Sequence, residues 1–101
     1  QELNEADFGL AVKRLSILQK KRGDIGEAIR LWERAAERGH LYAFIELAKY
    51  YEHKERDAKS ALRWAESALK YVEQVDQPYM RKFWTTEIEH RLERLNRKAG
   101  I

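Results

Sequence analysis

The chain contains no cysteine, so neither a disulfide framework nor a thiolate metal site can hold it together. That absence fits a reducing compartment, and a cytoplasmic location is the expectation. Proline occurs once, at Pro78, and glycine five times, which leaves long stretches without a helix breaker. No apolar run approaches the roughly 20 residues that span a bilayer, and the N-terminus lacks the basic-then-apolar layout of a signal peptide. β-Branched residues are scattered and never alternate with polar ones, so no strand is predicted. No glycine-rich phosphate loop exists, since Gly23-Asp24-Ile25-Gly26 follows no strand and reads as a turn between helices. Charge of one sign is not in excess either. Twenty basic and 17 acidic residues leave a net +3, too balanced to demand nucleic acid or an anionic membrane as partner.

What is present is helical periodicity, and it predicts five helices. The first covers roughly Asn4 to Lys21, with Phe8, Ala11, Val12, Leu15 and Leu18 as its buried stripe. Gly23 stops it. Asp24 caps the second helix, with Glu27 placed as in a capping box. Ile25, Ala28, Ile29, Trp32, Ala35 and Ala36 line that helix as far as Gly39. The third runs from about Leu41 to His53, with Phe44, Leu47, Ala48 and Tyr51 inward. The fourth follows a cap at Asp57 and reaches about Gln74, lined by Ala58, Ala61, Leu62, Ala65, Ala68, Leu69 and Val72. Pro78 suits the first turn of a fifth helix, which reaches about Lys98 along Trp84, Ile88, Leu92, Leu95 and Ala99.

The small residues recur at a fixed interval. Ala28 to Ala61 is 33 residues, as is Ala35 to Ala68, and Leu15-Ser16 maps onto Leu47-Ala48 at 32. A period of this size marks stacked helical hairpins. The expected fold is therefore all-α: an α-α superhelix of two hairpins, at about residues 10–39 and 41–70, closed by a long capping helix at about 78–98. The 101 residues form one domain. Two repeats make a short solenoid, and the first residue is Gln1, so the expectation is a piece of a longer protein.

Residues 10–39, carrying Leu15, Ser16, Gly23, Asp24, Ala28, Trp32 and Ala35, resemble a tetratricopeptide or Sel1-like repeat. Residues 41–70, carrying Leu47, Ala48, Tyr51, Asp57, Ala61 and Ala68, resemble the next. The junction Trp32-Glu33-Arg34-Ala35-Ala36-Glu37-Arg38-Gly39-His40 is similar to that of a Sel1-like repeat. The chain departs from the pattern in having Gly39-His40 where tetratricopeptide repeats usually carry proline, and in lacking the longer glycine-bearing loop of Sel1-like repeats. The second hairpin also has one extra residue in its turn. A second resemblance covers Leu47-Ala48-Lys49-Tyr50-Tyr51-Glu52-His53-Lys54-Glu55-Arg56-Asp57 and Glu89-His90-Arg91-Leu92-Glu93-Arg94-Leu95-Asn96-Arg97-Lys98. These segments resemble the helical tail of bacterial proteins that carry an RNase H-like exonuclease domain upstream. That resemblance implies an accessory domain, with the catalytic carboxylates outside this chain.

In tetratricopeptide-like repeats the first helix of each pair lines a concave groove. The resemblance carries this role to Leu10, Lys13, Ile17, Lys20 and Lys21, and to Tyr42, Ile45, Lys49, Glu52 and His53. The mixture of aliphatic, aromatic and cationic groups suits an extended acidic and apolar peptide. The positions where the family's carboxylate clamp needs asparagine hold Ile17 and Glu46, so that clamp is excluded. The expected function is protein–protein interaction or scaffolding, the partner being another protein or the chain's own parent enzyme domain. Exposed Leu10, Ile17 and Leu31 offer a route to oligomers. The alternative is a nucleic-acid-binding accessory domain using Arg91, Arg94, Arg97 and Lys98, where cations gather for phosphate contact. The competing reading is a solvated face, with those cations paired to Glu87, Glu89 and Glu93.

No catalytic constellation stands out, and the chain is not expected to be an enzyme. Ser16, Ser60 and Ser67 have no histidine at working spacing. Glu87-x-x-His90 occurs once, whereas a helical carboxylate-bridged metal centre needs the motif twice. His40, His53 and His90 fall in different elements, so no metal or other cofactor is expected. Trp32, Trp64 and Trp84 read as core filling.

Overall fold

The computed structural model describes residues 4–100. It is all-α: α1 (Glu5–Lys21), α2 (Ile25–Glu37), α3 (Leu41–His53), α4 (Ala58–Tyr71) and α5 (Pro78–Ala99), with a short 3-10 turn, Val72–Gln74, prolonging α4. No strand occurs among the described residues, and none of their helices is long and apolar enough to cross a membrane.

The helix boundaries follow from local chemistry. Asn4 caps α1, its side-chain oxygen accepting the Asp7 N–H at 2.8 Å. Asp24 and Asp57, 33 residues apart, cap α2 and α4 through the N–H groups of Glu27 and Ser60, each at 3.1 Å. Such oxygens satisfy amides that have no partner inside the helix. The expected capping box at α2 is only half built. The Asp24 N–H donates instead to the Gln19 carbonyl at 2.9 Å, closing the end of α1, and Glu27 sits 3.6 Å from Arg30.

The residue before each Asp cap has left-handed backbone: Gly23 at φ 82° and Arg56 at φ 54°. Glycine adopts this region freely, whereas a side chain there costs roughly 1–2 kcal/mol. Arg56→Gly is therefore expected to stabilise the chain by up to about 1 kcal/mol, after the extra disorder that glycine gives the unfolded state. A urea midpoint compared with that of the parent chain checks this.

Each helix packs mainly against its neighbours in sequence, α1 on α2, α2 on α3, α3 on α4 and α4 on α5. The Cα framework measures 47 × 35 × 19 Å, a slab about two helix diameters thick. The main core joins Ala28, Trp32, Ala35 and Ala36 of α2 to Ala43, Phe44, Ile45 and Leu47 of α3, with Ala68, Val72 and Ile88. A second cluster seats Leu95 of α5 among Ala48, Ala61, Leu62 and Ala65. Alanines at these contacts let the helix axes come close, and the large side chains fill the space left beside them. The ring of Phe44 stacks on Tyr71 at 4.9 Å between centroids.

Two expectations about apolar faces need correction. On α1 the buried seam is Gly9 and Ser16, with half-buried Val12 and Gln19, whereas Ala11, Leu15 and Leu18 face outward. The apolar arc of α1 is wider than its covered face, so of the predicted stripe Phe8 and Val12 are half-buried while Ala11, Leu15 and Leu18 lie on the uncovered side. Conversely, Leu31 is not exposed. It is buried to 6% because α2 is packed on two sides, against α1 and α3, so its buried arc spreads beyond the alanine line. Leu10 and Ile17 are exposed as expected.

Candidate functional site

A hollow with a volume of about 600 Å³ lies between α1 and α3. Lys13, Ile17, Lys20 and Lys21 border it from α1, and Tyr42, Ile45 and Lys49 from α3. These seven are residues to which the repeat resemblance carries a groove role. On α1 they recur at three- and four-residue intervals, which holds them on one helical face. Trp32 of α2, Trp84 of α5, Ser16 and Glu46 complete the lining. Two smaller hollows adjoin it. One, of about 130 Å³, shares Ile45, Lys49 and Trp84 and runs along α5 past Phe83 and Ile88. The other, of about 170 Å³, shares Lys20, Trp32, Glu46 and Lys49 and is bordered by His53.

The groove has an aromatic and aliphatic floor and a cationic rim. Four lysines face one carboxylate, Glu46, which lies 3.8 Å from Lys49. The Lys13 ammonium stands 5.7 Å from the centroid of the Tyr42 ring, an attractive cation–aromatic arrangement. The Tyr42 phenol oxygen is buried with no hydrogen-bond partner among the described residues. Burial pushes that phenol up to about 12, so it stays protonated and can only be satisfied as a hydroxyl.

Three residues expected in the main groove lie elsewhere. Leu10 sits further along α1 and is exposed to solvent. His53 borders only side hollows. Glu52 is turned away from the groove and fully buried, its side chain 0% exposed, in an ion cluster that ties α3 to α5. Arg94 grips it with two nitrogens, at 2.7 and 2.8 Å, Lys98 approaches to 2.7 Å and Arg91 to 3.2 Å. The Arg94 guanidinium, then the Lys98 ammonium, overcome the opposing effect of burial and hold the Glu52 carboxyl down at about 2. A bidentate guanidinium–carboxylate pair with further donors is what a buried carboxylate requires.

This cluster changes the meaning of the basic stripe on α5. Arg91, Arg94 and Lys98 do not pair with Glu87, Glu89 and Glu93 along their own helix. They converge on a single carboxylate from α3, and only Arg97 makes the along-helix pair, with Glu93 at 3.0 Å. Glu87 and His90 are both exposed. Among the described residues no group of three or more His, Asp or Glu side chains gathers as a metal would need. His40, the residue before α3, caps nothing with its side chain but packs its ring 5.9 Å from Phe8 and 6.4 Å from Tyr42.

Sequence reasoning missed Trp32 and Trp84 as groove residues because it assigned both to the core. Trp32 is in the core and exposes one edge to the hollow. Trp84, in the second turn of α5, lines the hollow together with Ile45, which makes α5 a third wall rather than only a lid.

No family model matches the sequence, and no solved structure matches it. Over 88 residues, 83% of the chain, it is 36% identical to the uncharacterized protein YprB of Bacillus subtilis. The chain spans only 20% of the length of that relative.

Proposed function

We propose that this chain is a protein-interaction module whose α1–α3–α5 groove holds an extended acidic and apolar segment of a partner, and that it serves as an accessory domain of a longer, tetratricopeptide-like or Sel1-like protein. The observation that carries the reading is the groove lining: four lysines around Ile17, Ile45, Tyr42 and Trp84, with a single carboxylate among them. Apolar side chains of a bound segment would fill the floor, and its carboxylates would meet the lysines at the rim. A volume of about 600 Å³ accommodates a few side chains of such a segment. An acidic surface of an attached enzyme domain, such as the upstream RNase H-like exonuclease that the resemblance implies, fits the same chemistry.

The nucleic-acid reading is the weaker one, because three of its four cations already share the Glu52 carboxylate. Mobility-shift titration of the chain with single-stranded DNA at low salt is the check on that alternative.

The test of the groove uses an immobilised peptide in which aspartate or glutamate alternates with leucine or phenylalanine. Lys13→Glu with Lys49→Glu is expected to weaken binding more than tenfold while the helical circular-dichroism signal stays intact. Both lysines are exposed, so the fold tolerates the change. Unchanged capture by the double variant would move the interface to another face.

A further inference from the structure

Among the polar groups that line the α1–α3 hollow, the Tyr42 hydroxyl stands apart. The four lysines are exposed, Glu46 lies 3.8 Å from Lys49, and the Ser16 hydroxyl donates to the Lys13 carbonyl at 2.8 Å. The Tyr42 oxygen is shut from water without a hydrogen-bond partner, the one buried side-chain nitrogen or oxygen so left among the described residues. The neighbouring His40 ring, 6.4 Å away between centroids, gives it no hydrogen bond. An unpaired buried hydroxyl raises the energy of the folded chain. The ring itself packs half-buried against the main core, a role phenylalanine fills without that penalty. Packing therefore accounts for the ring and leaves the hydroxyl unexplained.

The surroundings of this hydroxyl call for an acceptor. The lining sets four ammoniums and a phenol against the single Glu46 carboxylate. With its titration pushed up to about 12 by burial, the phenol is a donor at neutral pH. The Lys13 ammonium stands over the same ring, 5.7 Å from its centroid, and makes no ion pair among the described residues. We infer that Tyr42 and Lys13 together seat one carboxylate of the bound segment, the Tyr42 O–H donating to one of its oxygens and the Lys13 ammonium to the other. This rests on the groove reading above and names the group that the groove singles out. A carboxylate has the reach for it, since each of its two oxygens accepts at about 2.8 Å. Drawn first to the ammonium, it takes Lys13 off the ring face and meets the hydroxyl that the free chain keeps covered. A charge-assisted bond made away from water is among the stronger ones, whereas an exposed rim lysine such as Lys49 contributes little by comparison.

The test titrates the alternating acidic and apolar peptide, free in solution, into the full chain and its variants. Tyr42→Phe is expected to lower the affinity about tenfold. Without peptide the same variant should raise the urea midpoint, because it keeps the ring and removes the unpaired hydroxyl. A tyrosine serving the fold by itself would not show these opposite signs. Lys13→Ala should also cost about tenfold, and the double variant Tyr42→Phe, Lys13→Ala should lose far less than a hundredfold, since both groups hold one carboxylate. Lys49→Ala should add its own loss to that of Tyr42→Phe in full. Unchanged affinity or a lowered midpoint in Tyr42→Phe, or additive losses from Tyr42 and Lys13, would overturn the inference. Lys13→Glu with Lys49→Glu separates it from the reading it rests on. Loss of peptide in that variant with full binding by Tyr42→Phe leaves the groove standing and removes the carboxylate seat. Full binding by that variant removes the groove and the seat with it.

Discussion

Glu52→Gln is expected to destabilise the chain by about 3 kcal/mol, and to do so in a pH-dependent way. Removing one partner from a buried ion cluster leaves the others uncompensated, at a typical cost of about 3–5 kcal/mol. The lower end applies because Arg94 and Lys98 keep partial access to water and can turn outward, their side chains being 39% and 47% exposed, whereas Arg91, at 18%, has less freedom. In the parent chain the Glu52 carboxyl lies below its ordinary value of 4.5, at about 2, held there first by Arg94 and then by Lys98. The folded state thus takes up a proton at this site less readily than the unfolded state. Its contribution is complete above about pH 4.5 and disappears as pH falls through the folded value near 2. Glutamine cannot titrate. Urea unfolding of parent and variant should differ by about 3 kcal/mol at pH 7 and converge between pH 4.5 and 2. A constant gap across that window would show that Glu52 acts through shape rather than charge.

The same residue marks what sequence can and cannot reveal. The stripe Arg91, Arg94, Lys98 is legible, since three- and seven-residue intervals put all three on one face of α5. Its partner is not legible, because Glu52 lies 39 to 46 residues away and no local spacing connects them. A glutamate in the last turn of a helix next to His53 and Lys54 has every mark of a solvated residue. Helix existence was easier, because each boundary rests on local chemistry: Gly23 with Asp24, Gly39 before α3, Asp57, and Pro78 at the first position of α5. α3 runs over the predicted Leu41–His53, and α4 stops at Tyr71, short of the predicted Gln74, only by tightening to a 3-10 turn.

Periodicity also tells how much of a helix is apolar without telling which part meets a neighbour. On α1 it favoured Phe8, Ala11, Val12, Leu15 and Leu18, yet the buried residues of this helix are Ser16 and Gly9, with the His40 ring lying against Gly9. A small seam suits this close contact, and a serine there satisfies its hydroxyl locally by donating to the Lys13 carbonyl at 2.8 Å. Phe8 finds its place through a longer-range contact, with the Arg38 guanidinium 3.9 Å from its ring centroid. Lys13, Ile17 and Lys20, to which the repeat resemblance carries a groove role, share one face of this helix and border the hollow, whereas Leu10 does not.

Leu95→Ala is expected to cost about 3 kcal/mol, by the transfer of the lost side chain and by the cavity left behind. Leu95 is wholly buried and is the large residue of α5 set among Ala48, Ala61, Leu62 and Ala65. Those neighbours include three alanines, whose side chains are too short to close over the gap. The loss should register on α5 above all, since the far half of this helix is held chiefly by Leu95, with half-buried Leu92 beside it, and by the Glu52 cluster on α3. Removing either leaves the other in place. Removing both releases the half-helix from Arg91 to Ala99, after which neither attachment has anything further to lose. The double variant Glu52→Gln, Leu95→Ala is therefore expected to fall short of the sum of the single losses by about 1 kcal/mol or more, as contacts sharing one element do. Amide hydrogen exchange should show protection lost first in α5, while α2 and α3 stay protected. Additive losses, or exchange that rises equally in all five helices, would mean that α5 unfolds only with the whole chain.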